Sequence, residues 1–403
     1  MRAWPAAVVA STLLAVAPAR AQPTTPIGYV EVVQLARLAS PDVASVRAQE
    51  AVARSGIGVA GTYPNPTFSI GTSNQTALVY GGVSVPLVVF GQIGAARDAS
   101  RAELATARAD TRVSESEVRA AAAHAFVALW LAQNVATERA SAASIQARLE
   151  QSVKTRVEVG SAPEIDSLRT HAERLRADAD AAEAEALVAA AGAALGRWIG
   201  VPDGSSLRAD GDPVIPSPAP PLGELRSHVE DNPAIRRENA DALAALARAS
   251  HERRLAWPSM SLDMGFELMD PTLPGPNFRA QLVFDLPLFN HRGSYVERES
   301  NAAAAARARA DAERARASSE LTSAYLRFEA VRLRVDALRT GVLPAAEAAA
   351  LAIEDAYGLG RASLVTVLDA EKARIDARLA LATARGEQAD AWIEVERVLG
   401  VTQ

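Results

Sequence analysis

Covalent chemistry needs a nucleophile, an acid–base pair or metal ligands at workable spacing, and this chain offers none of these sets. Its 403 residues include no cysteine, which removes disulfides, cysteine-ligated zinc and a thiol nucleophile. The five histidines, His124, His171, His228, His251 and His291, have no histidine partner at i, i+4 and form no ligand set. His171 and Glu173 stand close enough in sequence to meet a passing cation, although a scattered histidine is more often a surface or packing residue. Phe90-Gly91-Gln92-Ile93-Gly94-Ala95-Ala96 follows an apolar run and opens a helix, but its spacing departs from a dinucleotide fingerprint and the helix is too long for a βαβ crossover. No Ser/His/Asp arrangement or carboxylate pair is placed on a loop. The inventory argues against an enzyme, and it predicts neither a cofactor nor a bound metal.

The charges that do recur in a pattern lie in the stretch 258–290. Met260, Leu262, Met264, Phe266 and Leu268 share one parity, and Ser261, Asp263, Gly265 and Glu267 share the other. After the turn residues Asp270, Pro271, Pro274, Gly275 and Pro276, Phe278, Ala280, Leu282, Phe284 and Leu286 alternate with Arg279, Gln281 and Asp285. Period two predicts two strands with one apolar and one polar face. Asp263, Glu267, Arg279 and Asp285 would line a pore, or face solvent if the sheet is soluble. A lone hairpin cannot hide its apolar face, so its partner must be further strands, a helix layer or lipid.

The elements that must position this hairpin are long helices. Hydrophobic residues make up 49% of the chain but aromatic residues only 5%, because alanine supplies the excess, and alanine favours helices. Residues 1–21 carry Arg2, an apolar run from Ala6 to Ala17 and the small-residue pattern Ala19-Arg20-Ala21. They read as a signal peptide cleaved before Gln22, with no cysteine there to carry a lipid. Of the 42 Lys and Arg, Arg2 and Arg20 leave with it, so 40 basic residues face 48 acidic ones, and no basic patch argues for nucleic acid. No later stretch approaches eighteen uncharged apolar residues, so a membrane contact would be made through strands.

The chain runs helix (about 29–61), hairpin (Thr67 to Asn74 and Leu78 to Val88, punctuated by Gly81-Gly82), helix (about 92–157), a break at Val159-Gly160-Ser161-Ala162-Pro163, and a helix to about Trp198. The long helix would span about 100 Å at 1.5 Å per residue. The two shorter helices together match its length and could stack beside it. A Pro-, Gly- and Ser-rich linker follows. The same order then recurs: Asn232-Pro233 opens a helix to Trp257, the hairpin follows, a helix runs from Gly293 to Tyr357, Gly358-Leu359-Gly360 breaks it, and a last helix ends at Gly400. Pro41 and Pro66 match Pro233 and Pro258 at one offset, and Gly160 and Gly200 match Gly360 and Gly400 at another. This is a tandem duplication, with repeat 1 at 22–200, a Pro/Gly-rich linker at 201–222 and repeat 2 at 223–403. Leu321, Tyr325, Phe328, Val331, Val335, Leu338 and Val342, with Ile145, Leu149, Val153 and Val157, recur every three or four residues as bundle seams.

This duplicated order resembles the outer-membrane efflux protein family of the TolC type. Tyr357-Gly358-Leu359-Gly360, followed after a six-residue step by Val367-Leu368-Asp369-Ala370, is similar to that family's tip, and Val85-Pro86-Leu87 and Leu286-Pro287-Leu288-Phe289 to its strand-to-helix joints. The resemblance implies an α+β membrane protein: a long α-helical barrel crossing the periplasm, with four strands per chain contributing to a trimeric 12-stranded transmembrane β-barrel in the outer membrane of a Gram-negative bacterium. Its partners would be two further copies, outer-membrane lipid, a periplasmic adaptor and an inner-membrane efflux transporter. Its function would be passive export of drugs or heavy-metal cations, or of a polypeptide as a type I secretion outlet. Family members tend to carry aspartate after the tip glycines. Asp369 and Asp166 are therefore expected at a periplasmic gate, with Thr366 standing where an acid is common. Two plainer roles stay open: Asp369 pairing with Lys372 one turn on, and Asp166 capping its helix. Val159, Gly160, Ser161, Leu359, Gly360 and Arg361 are the expected adaptor-docking tips, where glycine also serves the turn itself. From a different class, a soluble periplasmic coiled-coil adaptor or scaffold would fit the helices but not the one-sided strands.

Overall fold

The computed structural model describes residues 25–72, 79–268 and 275–400. The expected leader and the turn residues Asn74, Leu78, Asp270, Pro271 and Pro274 lie outside them.

Repeat 1 contains α1 (Tyr29–Ala39), α2 (Pro41–Ala60), strands β2 (Thr67–Gly71) and β3 (Val79–Leu87), α3 (Gln92–Glu158) and α4 (Glu164–Ile199). It is preceded by β1 (Thr25–Gly28) and followed by β4 (Leu207–Asp210) and the short α5 (Leu222–Arg226). Repeat 2 contains α6 (Pro233–Leu255), β5 (Ser259–Leu268), β6 (Asn277–Asp285), α7 (Gly293–Ala337), α8 (Leu343–Gly358) and α9 (Leu364–Leu399). Proline occupies the first turn of both α2 and α6, where its missing N–H costs nothing. Asn232 caps α6 by accepting from the N–H of Ala234 at 2.8 Å.

Three helix expectations need correction. The segment 29–61 is two helices, because Pro41 holds Ser40 extended at φ −63° and ψ 129°. The helix from Gly293 to Tyr357 is interrupted by a π turn at Leu338–Val342. Pro344 cannot donate to the carbonyl four residues back, and the wider turn relieves the clash. Val342 is consequently exposed rather than part of a seam, whereas Leu321, Phe328 and Val335 are buried as expected. The long helix of repeat 1, free of proline, is unbroken over its 67 residues.

α3 is the central column. It packs against α2 and α4 on one flank and α6 and α9 on the other, and α7 and α8 pack beyond these. Large side chains cluster at two places. Phe126, Leu129 and Leu195 form a core with Val32 and Val188, and Leu321, Phe328, Trp392 and Val395 form another with Leu225 and Ile235. Between α6 and α7 the seam is alanine: Ala303, Ala306, Ala310 and Ala317 are buried at helical spacing against Ala242, Ala245 and Ala249. Small side chains let these backbones approach closely, and buried Glu238 and Glu299 accept from Arg309 and Arg248 Nε at 2.8 Å to tie the pair.

The stretch after α4, read as a linker, contains β4 in parallel register with β1, Ile27 lying opposite Ala209. A Cβ on Gly192 would stand 2.5 Å from the Gly204 carbonyl oxygen, so glycine lets this strap lie on α4.

The four remaining strands form one antiparallel sheet in the order β2-β3-β5-β6, so the two hairpins meet through β3 and β5. Gly81 and Gly82 lie inside β3, not at a turn. Gly81 receives the Phe266 ring, and Gly82 pairs with Gly265. Among the described residues no helix packs extensively on either face of the sheet.

Candidate functional site

The two tips are the same structure built twice. Gly160 and Gly360 sit at φ 75° and 72°, in the left-handed region that only glycine adopts without strain. The N–H of Ser161 donates to the Arg156 carbonyl at 2.8 Å, and that of Arg361 to the Ala356 carbonyl at the same distance. The glycine N–H groups donate to the Val157 and Tyr357 carbonyls at 2.9 Å. This paired arrangement closes the helix ends and leaves Val159 and Leu359 about 70% exposed at the apices.

A contact not signalled by sequence joins the tips. Arg156 Nη1 donates to the Tyr357 carbonyl at 3.1 Å, and its guanidinium lies 4.5 Å from the Tyr357 ring centroid. The two residues are 201 positions apart, and only the tertiary structure brings the ends of α3 and α8 together.

The three expected gate residues have different surroundings. Thr366 belongs to the start of α9: Ser363 Oγ accepts from its N–H at 3.2 Å, and the two hydroxyl oxygens lie 2.9 Å apart. Asp166 sits half-buried in the first turn of α4, where the helix dipole favours a carboxylate. Asp369 is exposed and lines a groove between α4 and α9, floored by Arg139, Ala142 and Gln146 of α3. Lys372 lines the same groove without pairing to it. A turn away, Glu371 is buried and held by Arg374 at 2.6 Å, and burial raises its carboxyl above the ordinary range.

On the sheet, register places Asp263 opposite Ser84 and Gln281, Glu267 opposite Tyr80 and Asn277, and Arg279 opposite Gly265. Ser84 Oγ donates to Asp263 at 2.6 Å, and Arg279 approaches Glu267 at 3.8 Å. Asp285 lies opposite Ser259 at the other end of the same face. The opposite face carries Phe68 and Ile70; Val83, Val85 and Leu87; Met260, Leu262, Met264 and Phe266; and Phe278, Leu282 and Phe284. All four strands thus keep one apolar side and one polar side.

Half-way up, His124 of α3 is clamped by two carboxylates of α9. Asp390 lies 2.7 Å from Nδ1 and Glu394 3.1 Å from Nε2. The carboxylates take opposite ring nitrogens, which makes a charge clamp. Among the described residues no three of His, Asp and Glu are arranged to hold a metal ion. Burial alone would lower the His124 pKa, but the two hydrogen bonds and charges outweigh it and raise it to about 9, while the bond from His124 holds Glu394 down at about 2.

Fold and site together give paired helical columns ending in two equivalent tips, joined to a sheet with one apolar face. Residues 225–401 match the model of the outer membrane efflux protein family. The chain is 25% identical over 351 residues to the cobalt-zinc-cadmium resistance protein CzcC of Cupriavidus metallidurans, covering 86% of this chain and 83% of that one. Among solved structures it is similar to a membrane protein from Pseudomonas aeruginosa, with a TM-score of 0.75 at 16% identity over 92% of this chain and 93% of that one. It is similar also to CusC, with a TM-score of 0.73 at 15% identity over 91% of each chain. The second repeat thus matches the outer membrane efflux protein family, and the chain as a whole shares the fold of these two solved structures.

The clamp gives a pH dependence. A histidine raised on folding contributes stability that is complete below its unfolded value near 6.5 and is lost as pH rises through about 9. A depressed glutamate contributes above about 4.5 and is lost as pH falls through about 2. Thermal unfolding should therefore fall between pH 7 and 9.5 in the native chain. His124→Gln should flatten that limb, and an unchanged slope would show that the clamp does not couple α3 to α9.

Proposed function

We propose that the chain is the outer-membrane exit duct of a tripartite efflux system, exporting heavy-metal cations. One observation carries this reading: a four-stranded sheet, apolar on one side, which among the described residues has unpaired edges at β2 and β6 and no helix packed over it. Four strands cannot close, and strands in lipid tolerate no open edge, so three copies would join β6 to the neighbouring β2 in a 12-stranded barrel. Strands of nine and ten residues suit the hydrocarbon thickness. Phe90 stacks on Trp257 at 5.2 Å where the sheet meets the helices, and Phe289 is fully exposed at the same joint, placing aromatic rings at the headgroup level. The leader at 1–21 would direct the chain across the inner membrane.

In this assembly Asp263, Glu267, Arg279 and Asp285 face the pore. The helical columns cross the periplasm, and Val159, Gly160, Ser161, Leu359, Gly360 and Arg361 meet an adaptor that bridges to an inner-membrane transporter. A threefold ring of Asp369, with Asp166 in support, favours cations at the periplasmic end. The cargo reading draws on the resemblance to a cobalt-zinc-cadmium resistance protein and on the acidic balance of the chain.

Three measurements test the parts. Met264→Arg, on the apolar face, should impair membrane assembly, since arginine at the midplane costs about 2–4 kcal/mol, whereas Gly265→Arg, on the pore face, should assemble and alter conductance. Equal behaviour of the two would refute the sidedness. In planar bilayers Asp369→Ala should raise conductance or weaken cation selectivity, and no change in either would remove Asp369 from the gate. Deleting the chain should sensitise its host to cobalt, zinc and cadmium; sensitivity confined to organic toxicants would reassign the cargo.

A further inference from the structure

At the seam between the repeats, two opposite charges line one cavity without meeting. The cavity is about 130 Å³ and is walled by α1 and α3 of repeat 1 and α9 of repeat 2. Arg119 of α3 lines it half-buried, and among the described residues its guanidinium makes no hydrogen bond and no ion pair. Glu396 of α9 lines it too, and the one hydrogen bond it accepts there is from Trp392 Nε1, at 2.8 Å. Arg397 on the same wall is by contrast held by Glu394 at 2.7 Å and Glu320 at 3.2 Å. Tyr29 adds a hydroxyl that has no hydrogen-bond partner among the described residues, its ring set edge-on to Phe126 with the centroids 5.5 Å apart. Burial lowers the Arg119 pKa and raises that of Glu396, so each group is driven toward its neutral form for want of a close counter-charge. Val33, Ala123 and Ile393 make the rest of the lining apolar. A cavity of about 150 Å³ holds a molecule the size of benzene, so this one has room for several non-hydrogen atoms. The shared scaffold does not require the acid: 200 positions before Glu396 stands Gly196, where a Cβ would lie 3.0 Å from the Gly204 Cα.

We propose that this cavity binds a zwitterionic α-amino acid with a short aliphatic side chain, its carboxylate on Arg119 and the Tyr29 hydroxyl, its ammonium on Glu396, and its side chain among Val33, Ala123 and Ile393. A guanidinium presents paired N–H donors that match a carboxylate, and the tyrosine O–H supplies a third. A ligand with a single charge would satisfy one of the two protein groups and leave the other desolvated and unpaired, which is costly. A ligand that carries both charges satisfies both. Water can bond to the polar groups but gains nothing from the apolar walls. The occupied site would tie α3 to α9 a few residues from the His124 clamp, strengthening the same seam. It goes beyond the duct reading and does not depend on it, because it uses neither the sheet nor the tips.

Isothermal titration calorimetry on the full-length protein in detergent tests the site, with L-valine, isovalerate and isobutylamine as probes. The last two are valine without its ammonium and valine without its carboxylate. L-Valine should bind at least about tenfold more tightly than either, since a hydrogen-bonded charge contributes about 1.5–3 kcal/mol. Arg119→Gln should weaken valine by a similar factor, Glu396→Gln should erase its advantage over isovalerate, and Val33→Phe, which fills the cavity with both charges in place, should abolish binding. Circular dichroism checks the fold of each variant, and the three-probe comparison on the native chain decides the matter without them. Isovalerate binding as tightly as valine would reduce the site to an anion pocket and overturn the proposal. Valine binding that survives Arg119→Gln would mark an adventitious additive only. No heat from valine at millimolar concentration would show that water or a neighbouring copy occupies the space, and would equally overturn it.

Discussion

The antiparallel register between β3 and β5 is the joint on which the two halves of the molecule depend. Val83 opposite Met264 and Ser84 opposite Asp263 put the apolar residues of both hairpins on one side, with Tyr80, Pro86 and Val283 as the exceptions. A slip of one residue would send half of them to the polar face. The Gly82–Gly265 pair and the Phe266 ring over Gly81 fit only one alignment, so side-chain size reinforces what the backbone hydrogen bonds begin.

Below the sheet, helix packing solves a different problem. A helix of 67 residues cannot be buried in one compact core, and it is stabilised instead by neighbours along its whole length. Bulky residues gather in two clusters beside the strap of β1, β4 and α5, while alanine lines the seam above them. Buried carboxylates tied to arginine fix the sliding register that alanine alone would leave loose. The His124 clamp does the same across the seam between repeats, where α3 of one half meets α9 of the other.

The repeats are not equal in stiffness. Repeat 1 offers an unbroken column, whereas Pro344 forces a π turn into its counterpart. The tips are nonetheless superimposable in conformation, because the left-handed glycine and its two hydrogen bonds are local. A partner meeting the tips would therefore meet the same backbone twice per chain, with different side chains: serine beside one glycine and arginine beside the other.

Much of this was legible in the amino-acid order. Period-two alternation, the tip glycines, the prolines opening α2 and α6 and the duplication are local patterns, and local patterns are set by backbone sterics and side-chain polarity. Pro344 belongs with them, because its effect on the helix is equally local. The pairing of β1 with β4 was not legible, since four residues in a proline-rich stretch carry no period. Nor were the Arg156–Tyr357 contact, the His124 clamp or the groove lined by Asp369. Each joins residues from different helices, and helical periodicity says which face is apolar without saying which neighbour it meets. Composition and periodicity determined that this chain makes long duplicated helices and one-sided strands. Only the tertiary structure decided which charges face each other, because that depends on the order in which the columns stand side by side.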